Sequence, residues 1–245
     1  MNNVDRSTKA FNIVSFLIGL GWLFLGSSLL AFPLYIIGPK VSGLPFEEYI
    51  QNIQLVTEHS YVVACVAHVV GIIFFVLFFK TVIKDDAKLF KNKVLKSIVI
   101  IVAGSILLYF SSWLLDVIYK ALGFSENDTS ANQQAIVDAL NGSTKYFVIF
   151  YTVILAPIFE EIVFRKLFYN ALKSVKLPVW AIVLIIATAF ALLHVMTDIE
   201  SLVFFPQYFV LSLIITLSYA ISKENLFVST GLHFVNNLMA VIQIL

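Results

Sequence analysis

Seven long apolar segments, separated by short polar stretches, make up most of the 245-residue chain. Each holds about 19 to 26 residues, and an α-helix needs about 20 to cross a hydrocarbon core of about 30 Å. The pattern therefore predicts an all-α, polytopic membrane bundle of about seven transmembrane helices. We expect these helices near residues 11–36, 61–79, 97–118, 146–164, 178–196, 202–221 and 226–245.

The composition supports a membrane setting for the whole chain. Hydrophobic residues make up 60% of it and charged residues 13%, so residues 1–245 are expected to form a single integral membrane domain. Residues 1–122 hold three helices that we expect to play a supporting part, because they carry almost no buried ionisable group; the exception is Asp116, near an outer end. Residues 146–245 hold four helices with nearly all of the buried ionisable groups. The polar stretch 123–145 predicts a short external helix at "AIVDAL".

The positive charges predict the orientation of the chain. With the N-terminus inside, 13 of the 16 Lys and Arg residues fall on the inner side, and cytoplasmic loops retain an excess of these residues. We therefore expect a cytoplasmic N-terminus and an external C-terminus. The lysine-rich stretch 80–96 is interpreted as a cytoplasmic loop near anionic lipid, and the net charge of +1 gives no indication of a nucleic-acid partner. Cys65 is the only cysteine, which excludes an intrachain disulfide.

Three charged residues stand inside the fourth apolar segment, in the sequence "FEEIVFR". A charge at the centre of a bilayer costs about 2.5–3.5 kcal/mol on insertion scales, so each needs a partner or a use. Glu161 and Arg165 are four residues apart on a helix and are expected to form an ion pair. Glu160 is left without such a partner. A structural brace or a helix end at the membrane surface would also explain these charges.

Other polar groups lie in the fifth and seventh segments. His194 stands one turn after Phe190, and His233 stands one turn before Asn237. A carboxylate can take a proton from water, and imidazole and amide groups can stabilise the oxyanion that forms when water adds to a carbonyl. Together with Glu160, these residues therefore suit peptide hydrolysis, although single His and Asn residues in membrane helices often only join helices.

Signatures of other intramembrane hydrolases do not occur in the sequence. There is no H-E-x-x-H zinc motif and no G-x-S-x-G nucleophile elbow. Paired membrane aspartates, which an aspartyl protease needs, are also missing. These absences disfavour the three classes of protease.

Three motifs carry a resemblance to a known family. "EEIVFR" fits E-E-x-x-x-R, "FALLH" fits F-x-x-x-H and "HFVNN" fits H-x-x-x-N, in this order over residues 160–237. The chain thus resembles the CAAX-processing and bacteriocin-processing (CPBP, abortive-infection) family of intramembrane proteases. The resemblance covers about the last 90 residues; the first three segments match only as membrane helices.

The resemblance implies an intramembrane endopeptidase that is similar to CAAX prenyl proteases. Glu160 would activate water, His194 and His233 would assist, and Asn237 would help to hold the oxyanion. Glu161, Arg165 and Phe190 would organise the site. No cofactor is certain; a zinc ion could be held by Glu160, His194 and His233, which are suitable ligand types.

The expected partners are a peptide or membrane-protein substrate and the lipid bilayer of a bacterial cell membrane. The substrate, the cleavage site and the oligomeric state are not determined by the sequence. Two other functions stay open: a non-catalytic bacteriocin-immunity or scaffold protein that binds a partner through the same cavity, and, with less support, a proton-coupled transporter.

The proposed chemistry requires a particular geometry. Glu160, His194, His233 and Asn237 should converge on one polar cavity, walled in part by Phe190, with the first three helices outside it. Helix lengths make this difficult, because Glu160 and His233 lie about 20 Å from the external face and His194 within about 6–10 Å of it. Either residues 165–177 continue the fourth helix and displace the fifth outward, or the segment "MTDIES" dips into the bilayer.

Overall fold

The computed structural model describes residues 9–125, 128–196 and 198–245, apart from the side chains of 27–31, 33, 34 and 54. The described residues form helices joined by short turns, with no strand among them. The helices are α1 Lys9–Ser42, α2 Phe46–Gln51, α3 Ile53–Phe78, α4 Lys80–Asn92, α5 Val94–Ala121, α6 Ala131–Leu140, α7 Lys145–Ser174, α8 Val179–Val195, α9 Phe205–Ile221 and α10 Leu226–Ile244. A short 3₁₀ turn, Glu200–Phe204, leads into α9.

Six helices of the described chain are long and apolar enough to cross a membrane: α1, α3, α5, α7, α9 with its preceding turn, and α10. The predicted polytopic helical bundle is therefore confirmed. The fifth predicted span corresponds to α8, which has 17 residues and is about 25 Å long at about 1.5 Å per residue. The count of seven spans stays a prediction.

The most charged apolar helix lies at the centre of the bundle. In an apolar stretch of 18 residues within α7, 61% of the residues are buried inside the molecule, against 11% in the corresponding stretch of α5. The main core cluster forms where α7 meets α8 and α9, with Phe159, Phe164, Ile186, Phe190 and Tyr219 at most 1% exposed. The outer faces of α5 leave large apolar side chains uncovered, as expected of a helix in contact with lipid.

The predicted loop at 80–96 is wrong, because residues 80–92 form the amphipathic helix α4. Its buried Asp86 accepts a hydrogen bond from Lys166 Nζ at 2.7 Å and another from the backbone N–H of Leu226 at 3.2 Å. Asn225 Nδ2 donates to the Asp86 backbone carbonyl at 2.8 Å. These contacts tie α4 to α7 and to the start of α10. We call Asp86, Lys166, Asn225 and Leu226 the polar latch.

The short helix predicted before the fourth span is confirmed as α6. Its N-cap is Ser130, whose hydroxyl accepts a hydrogen bond from the backbone N–H of Gln133 at 3.2 Å. The same hydroxyl bonds the Tyr208 hydroxyl of α9 at 2.6 Å. This contact holds α6 over one end of the bundle.

The helix α7 extends ten residues beyond its predicted end at 164. The continuation of the fourth helix past Arg165, which belonged to the first of the two expected arrangements, is confirmed as far as Ser174. The outward displacement of the fifth helix stays a prediction. The alternative concerned the segment 196–201, which includes residue 197 outside the described part of the chain.

Candidate active site

Two wider, π-helical turns flank the paired glutamates of α7, at Tyr151–Leu155 and Ile162–Phe168. Pro157 explains the first one. In an α-helix the carbonyl of residue 152 would bond the N–H of residue 156, but the N–H of Ala156 bonds the carbonyl of Tyr151 instead. The next donor in a π-helical pattern would be residue 157, and proline has no N–H. The carbonyl of Thr152 is therefore left without a helical partner.

Asn237 of α10 supplies the hydrogen-bond donor that the Thr152 carbonyl lacks within its own helix. Its side-chain Nδ2 donates to the Thr152 carbonyl at 2.9 Å, and its Oδ1 accepts a hydrogen bond from Asn236 Nδ2 at 3.1 Å. An amide nitrogen has two hydrogens, so one remains for a further acceptor. The proline in one helix thereby fixes the orientation of a polar side chain in another.

Glu161 is the buried centre of a charged network. Its Oε1 lies 2.8 Å from Arg165 Nη1 and 2.9 Å from His233 Nδ1, and Glu161 and Arg165 are 0% exposed. The predicted ion pair is confirmed. Arg165 also donates from Nη2 to the Ser212 hydroxyl at 2.9 Å, and its guanidinium lies 5.1 Å from the centre of the Phe190 ring. Each charge in this network faces an opposite charge or a hydrogen-bonding group.

The contact with Glu161 determines which ring nitrogen of His233 carries the proton. A carboxylate only accepts hydrogen bonds, so His233 Nδ1 carries a proton and donates it. Nε2 then faces Glu160, whose Oε2 lies 3.8 Å away. Unlike Glu161, Glu160 remains partly accessible, with 16% of its side chain exposed. The two adjacent glutamates therefore have different environments.

His194 is oriented in a similar way by its own helix. Its Nδ1 lies 2.8 Å from the backbone carbonyl of Phe190, which can only accept, so Nδ1 is again the protonated nitrogen. The imidazole is stacked between two rings, with centroid distances of 4.3 Å to Phe190 and 4.8 Å to Tyr208. This stacking restricts the ring and leaves Nε2 as the nitrogen available for other partners.

A cavity of about 700 Å³ brings these groups together. Glu160, Phe190, His194, His233 and Asn237 all line it. Glu161 and Arg165 do not line it and lie fully buried behind it. The four polar side chains therefore share one cavity, while the ion pair supports them from the protein interior.

The expectation that the first three spans lie outside the cavity is wrong for the third of them. The third span, α5, lines it from Ser105 to Asp116. The helices can approach because Gly104 has no side chain: a Cβ there would lie 2.7 Å from a methyl group of Leu232 in α10. The sequence shows Gly104 within an apolar run but not which helix it faces.

The first spans also carry more buried polar groups than expected. In α3, Glu58 and His68 are only 6% and 5% exposed. The His68 ring packs against Tyr151 of α7, with centroids 4.8 Å apart. Tyr208 and Thr152, which line the cavity and contact His194 and Asn237 respectively, were also missed. None of them belongs to a motif, so only the fold reveals their position.

The side chains as placed do not fit a three-ligand zinc site. Among the described residues, no group of three His, Cys, Asp or Glu side chains is arranged to hold a metal ion. Zinc ligands lie about 2.0–2.2 Å from the ion, and the four groups are usually arranged as a tetrahedron around it. The expectation of zinc at Glu160, His194 and His233 is therefore without structural support.

Comparison with protein families adds an independent finding. Residues 142–239 match the family model of the Type II CAAX prenyl endopeptidase Rce1-like proteins, which is less than half of the chain. Searches among curated proteins and among solved structures gave no significant match. The matched segment contains all three motifs and runs from the residues before α7 to most of α10. The resemblance seen in the motifs is thus confirmed, and residues 142–239 carry the signature of the Rce1-like family.

Proposed function

We propose that this protein is an intramembrane endopeptidase that hydrolyses a peptide bond of a membrane-associated peptide or protein. The observation that carries the proposal is the different environment of the two adjacent glutamates. Glu161 is neutralised by Arg165 and bonded by His233, whereas Glu160 faces the cavity. A carboxylate kept accessible beside two oriented imidazoles suits general-base catalysis. The Rce1-like match supports the same class of reaction.

In the proposed reaction, Glu160 takes a proton from a water molecule, and the resulting hydroxide adds to the carbonyl carbon of the substrate. The negative charge passes to the carbonyl oxygen. The free N–H of Asn237 Nδ2 would donate to this oxyanion, and the unprotonated His194 Nε2 would accept a hydrogen bond from the attacking water. When the carbon–nitrogen bond breaks, the proton on Glu160 passes to the leaving amine. One water is consumed, and a carboxylic acid and an amine are formed.

His233, Glu161 and Arg165 would position the reacting groups. Glu161 fixes His233 through Nδ1, so that Nε2 stays directed at Glu160. This is the same use of a carboxylate to orient an imidazole as in serine protease triads. Arg165 keeps Glu161 ionised in a site away from water. Phe190 restrains His194 in two ways: its ring stacks on the imidazole, and its backbone carbonyl accepts a hydrogen bond from Nδ1.

The proposal is tested by comparing the peptides released from membranes that contain the wild-type chain or the Glu160→Ala variant. An endopeptidase should give cleavage products that are found only with the wild type at equal protein levels. An immunity or scaffold protein would give identical peptide sets, as would a transporter, whose loss would instead change proton-coupled uptake. Identical sets with both proteins would overturn the proposal.

The orientation of Asn237 gives a prediction about Pro157. Pro157→Ala supplies a backbone N–H that competes with Asn237 for the Thr152 carbonyl, so we expect the side chain to lose its fixed position. Loss of one such hydrogen bond, worth about 1 kcal/mol, should lower the cleavage rate roughly three- to tenfold without lowering the melting temperature. The measurement is kcat together with thermal unfolding.

Pro206→Ala is the matched control for this variant. Pro206 lies in the first turn of α9, where a backbone N–H has no helical partner, and it does not line the cavity. The Pro206 variant should keep its rate. Equal rates for both proline variants and the wild type would mean that Pro157 has no part in positioning Asn237.

A further inference from the structure

The charges along the cavity restrict the substrates that it can hold. Among the described residues that line it there are two carboxylates, Glu160 and Asp116, and no Lys or Arg. Arg165, although close in sequence to Glu160, is 0% exposed and lies behind Phe190. A substrate in the cavity therefore meets negative charge and neutral polar groups.

The shape of the cavity is elongated along two neighbouring helices. The lining residues extend over α5 from Ser105 to Asp116 and over α10 from His233 to Ile244. Eleven helical steps correspond to about 16 Å at about 1.5 Å per residue. Glu160 lies beside His233, at the opposite end from Asp116. An extended peptide of about five residues, at about 3.3 Å each, would span this distance.

The two ends of the cavity differ in access. Beyond the Glu160 end, the bundle is closed by the polar latch, in which Lys166 and Asp86 are 8% exposed and satisfy each other. At the Asp116 end the lining includes three uncharged polar side chains, Asn132 and Gln133 from α6 and Gln243 from α10. Water and a polar peptide can be accommodated at this second end, which we call the mouth.

We propose that the cavity selects an extended, internal peptide segment with a Lys or Arg about five residues from the bond to be cleaved, and that this segment enters through the mouth. Asp116 attracts the basic residue. A substrate that ends in a free carboxylate within the cavity would find no Lys or Arg among the described lining residues to bind it. This inference rests on the proposed function, because it defines the substrate class of the same site.

A binding experiment separates charge selection from catalysis. The probes are fluorescein-labelled decapeptides of Ser, Ala and Leu that carry one Lys or one Glu at each position in turn, with an amidated C-terminus. The protein is the full chain with Glu160→Gln, in lipid nanodiscs that expose both faces. We expect the best Lys peptides to bind roughly fivefold more tightly than the matching Glu peptides, as for a partly exposed ion pair.

Variants of Asp116 identify the source of this preference. Glu160→Gln with Asp116→Asn should bring the Lys-to-Glu affinity ratio close to one, and Asp116→Lys should reverse it. Asp85→Asn, an exposed aspartate of α4 outside the cavity, is the matched control and should keep the ratio. Equal binding of both peptide sets, tighter binding of free-acid peptides than amides, or an unchanged ratio without Asp116 would overturn the inference.

Cleavage of the same peptides by the wild-type chain distinguishes this inference from the proposed function. A Lys preference in binding with no cleavage by the wild type would contradict proteolysis but support charge selection. Cleavage that disappears with Glu160→Gln, but shows no charge preference, would support proteolysis and contradict the role of Asp116. Absence of binding by every peptide would overturn the substrate class.

Discussion

Replacing Arg165 with Met should unfold much of the protein, at a cost of about 3–5 kcal/mol, because the substitution leaves the carboxylate of Glu161 buried without its cation. Arg165 is 0% exposed and contacts Glu161 at 2.8 Å and the Ser212 hydroxyl at 2.9 Å. Methionine fills a similar volume, so the loss of charge rather than of packing should dominate. The measurement is the amount of folded protein in membranes and its thermal unfolding in detergent.

Two comparisons make this prediction specific. Lys173 lies in the same helix, and its side chain is 54% exposed and paired with Glu224. Lys173→Met therefore removes an exposed cation and should cost at most about 1 kcal/mol of stability. Adding Glu161→Gln to Arg165→Met removes both charges and should restore most of the stability. If the double variant is as unstable as Arg165→Met alone, the destabilisation does not come from an unpaired Glu161.

Replacing Glu160 with Gln should lower kcat about 10²- to 10⁴-fold, the usual contribution of a general base, and should leave KM nearly unchanged. Glutamine keeps the shape of the side chain and its capacity for hydrogen bonds but does not accept a proton from water. The Glu160 side chain is 16% exposed, and Arg165 pairs with Glu161 instead. The substitution should therefore leave the stability of the protein almost unaffected.

The control for Glu160 is Glu47→Gln, an exposed glutamate in α2 that does not line the cavity. Its rate should equal that of the wild type. Retention of more than about a tenth of the activity by the Glu160 variant would be too much for loss of the base. In that case another group in the cavity would have to activate the water.

The sequence predicted those parts of the fold that depend on local periodicity and charge. Apolar length located the membrane helices, and the four-residue spacing of Glu161 and Arg165 predicted an ion pair that the structure contains. The bonds of His233 to Glu161 and of Asn237 to Thr152 could not be predicted, because they join residues 72 and 85 positions apart. Spacing along one helix carries no information about which faces of two helices meet.

The wrong predictions for residues 80–96 and for α5 both concern packing between helices. The lysines of 80–96 suggested a loop, yet apolar residues at helical spacing between them give α4 one partly buried face that packs on the bundle. The third span, α5, lacks motif residues but lines the cavity because Gly104 permits close approach to α10. A glycine affects packing by allowing another helix to approach closely, and the sequence around the glycine does not show which helix that is.

The polar latch joins residues that are synthesised at different times. Asp86 precedes Lys166 by 80 residues and Leu226 by 140. At about 5–20 residues per second, the ribosome needs roughly 7–28 s to supply the last partner. During this interval α4 has to remain at the membrane surface, where water can solvate its carboxylate. Burial of the aspartate therefore depends on the arrival of α10, whose first residue supplies the backbone N–H that Asp86 accepts.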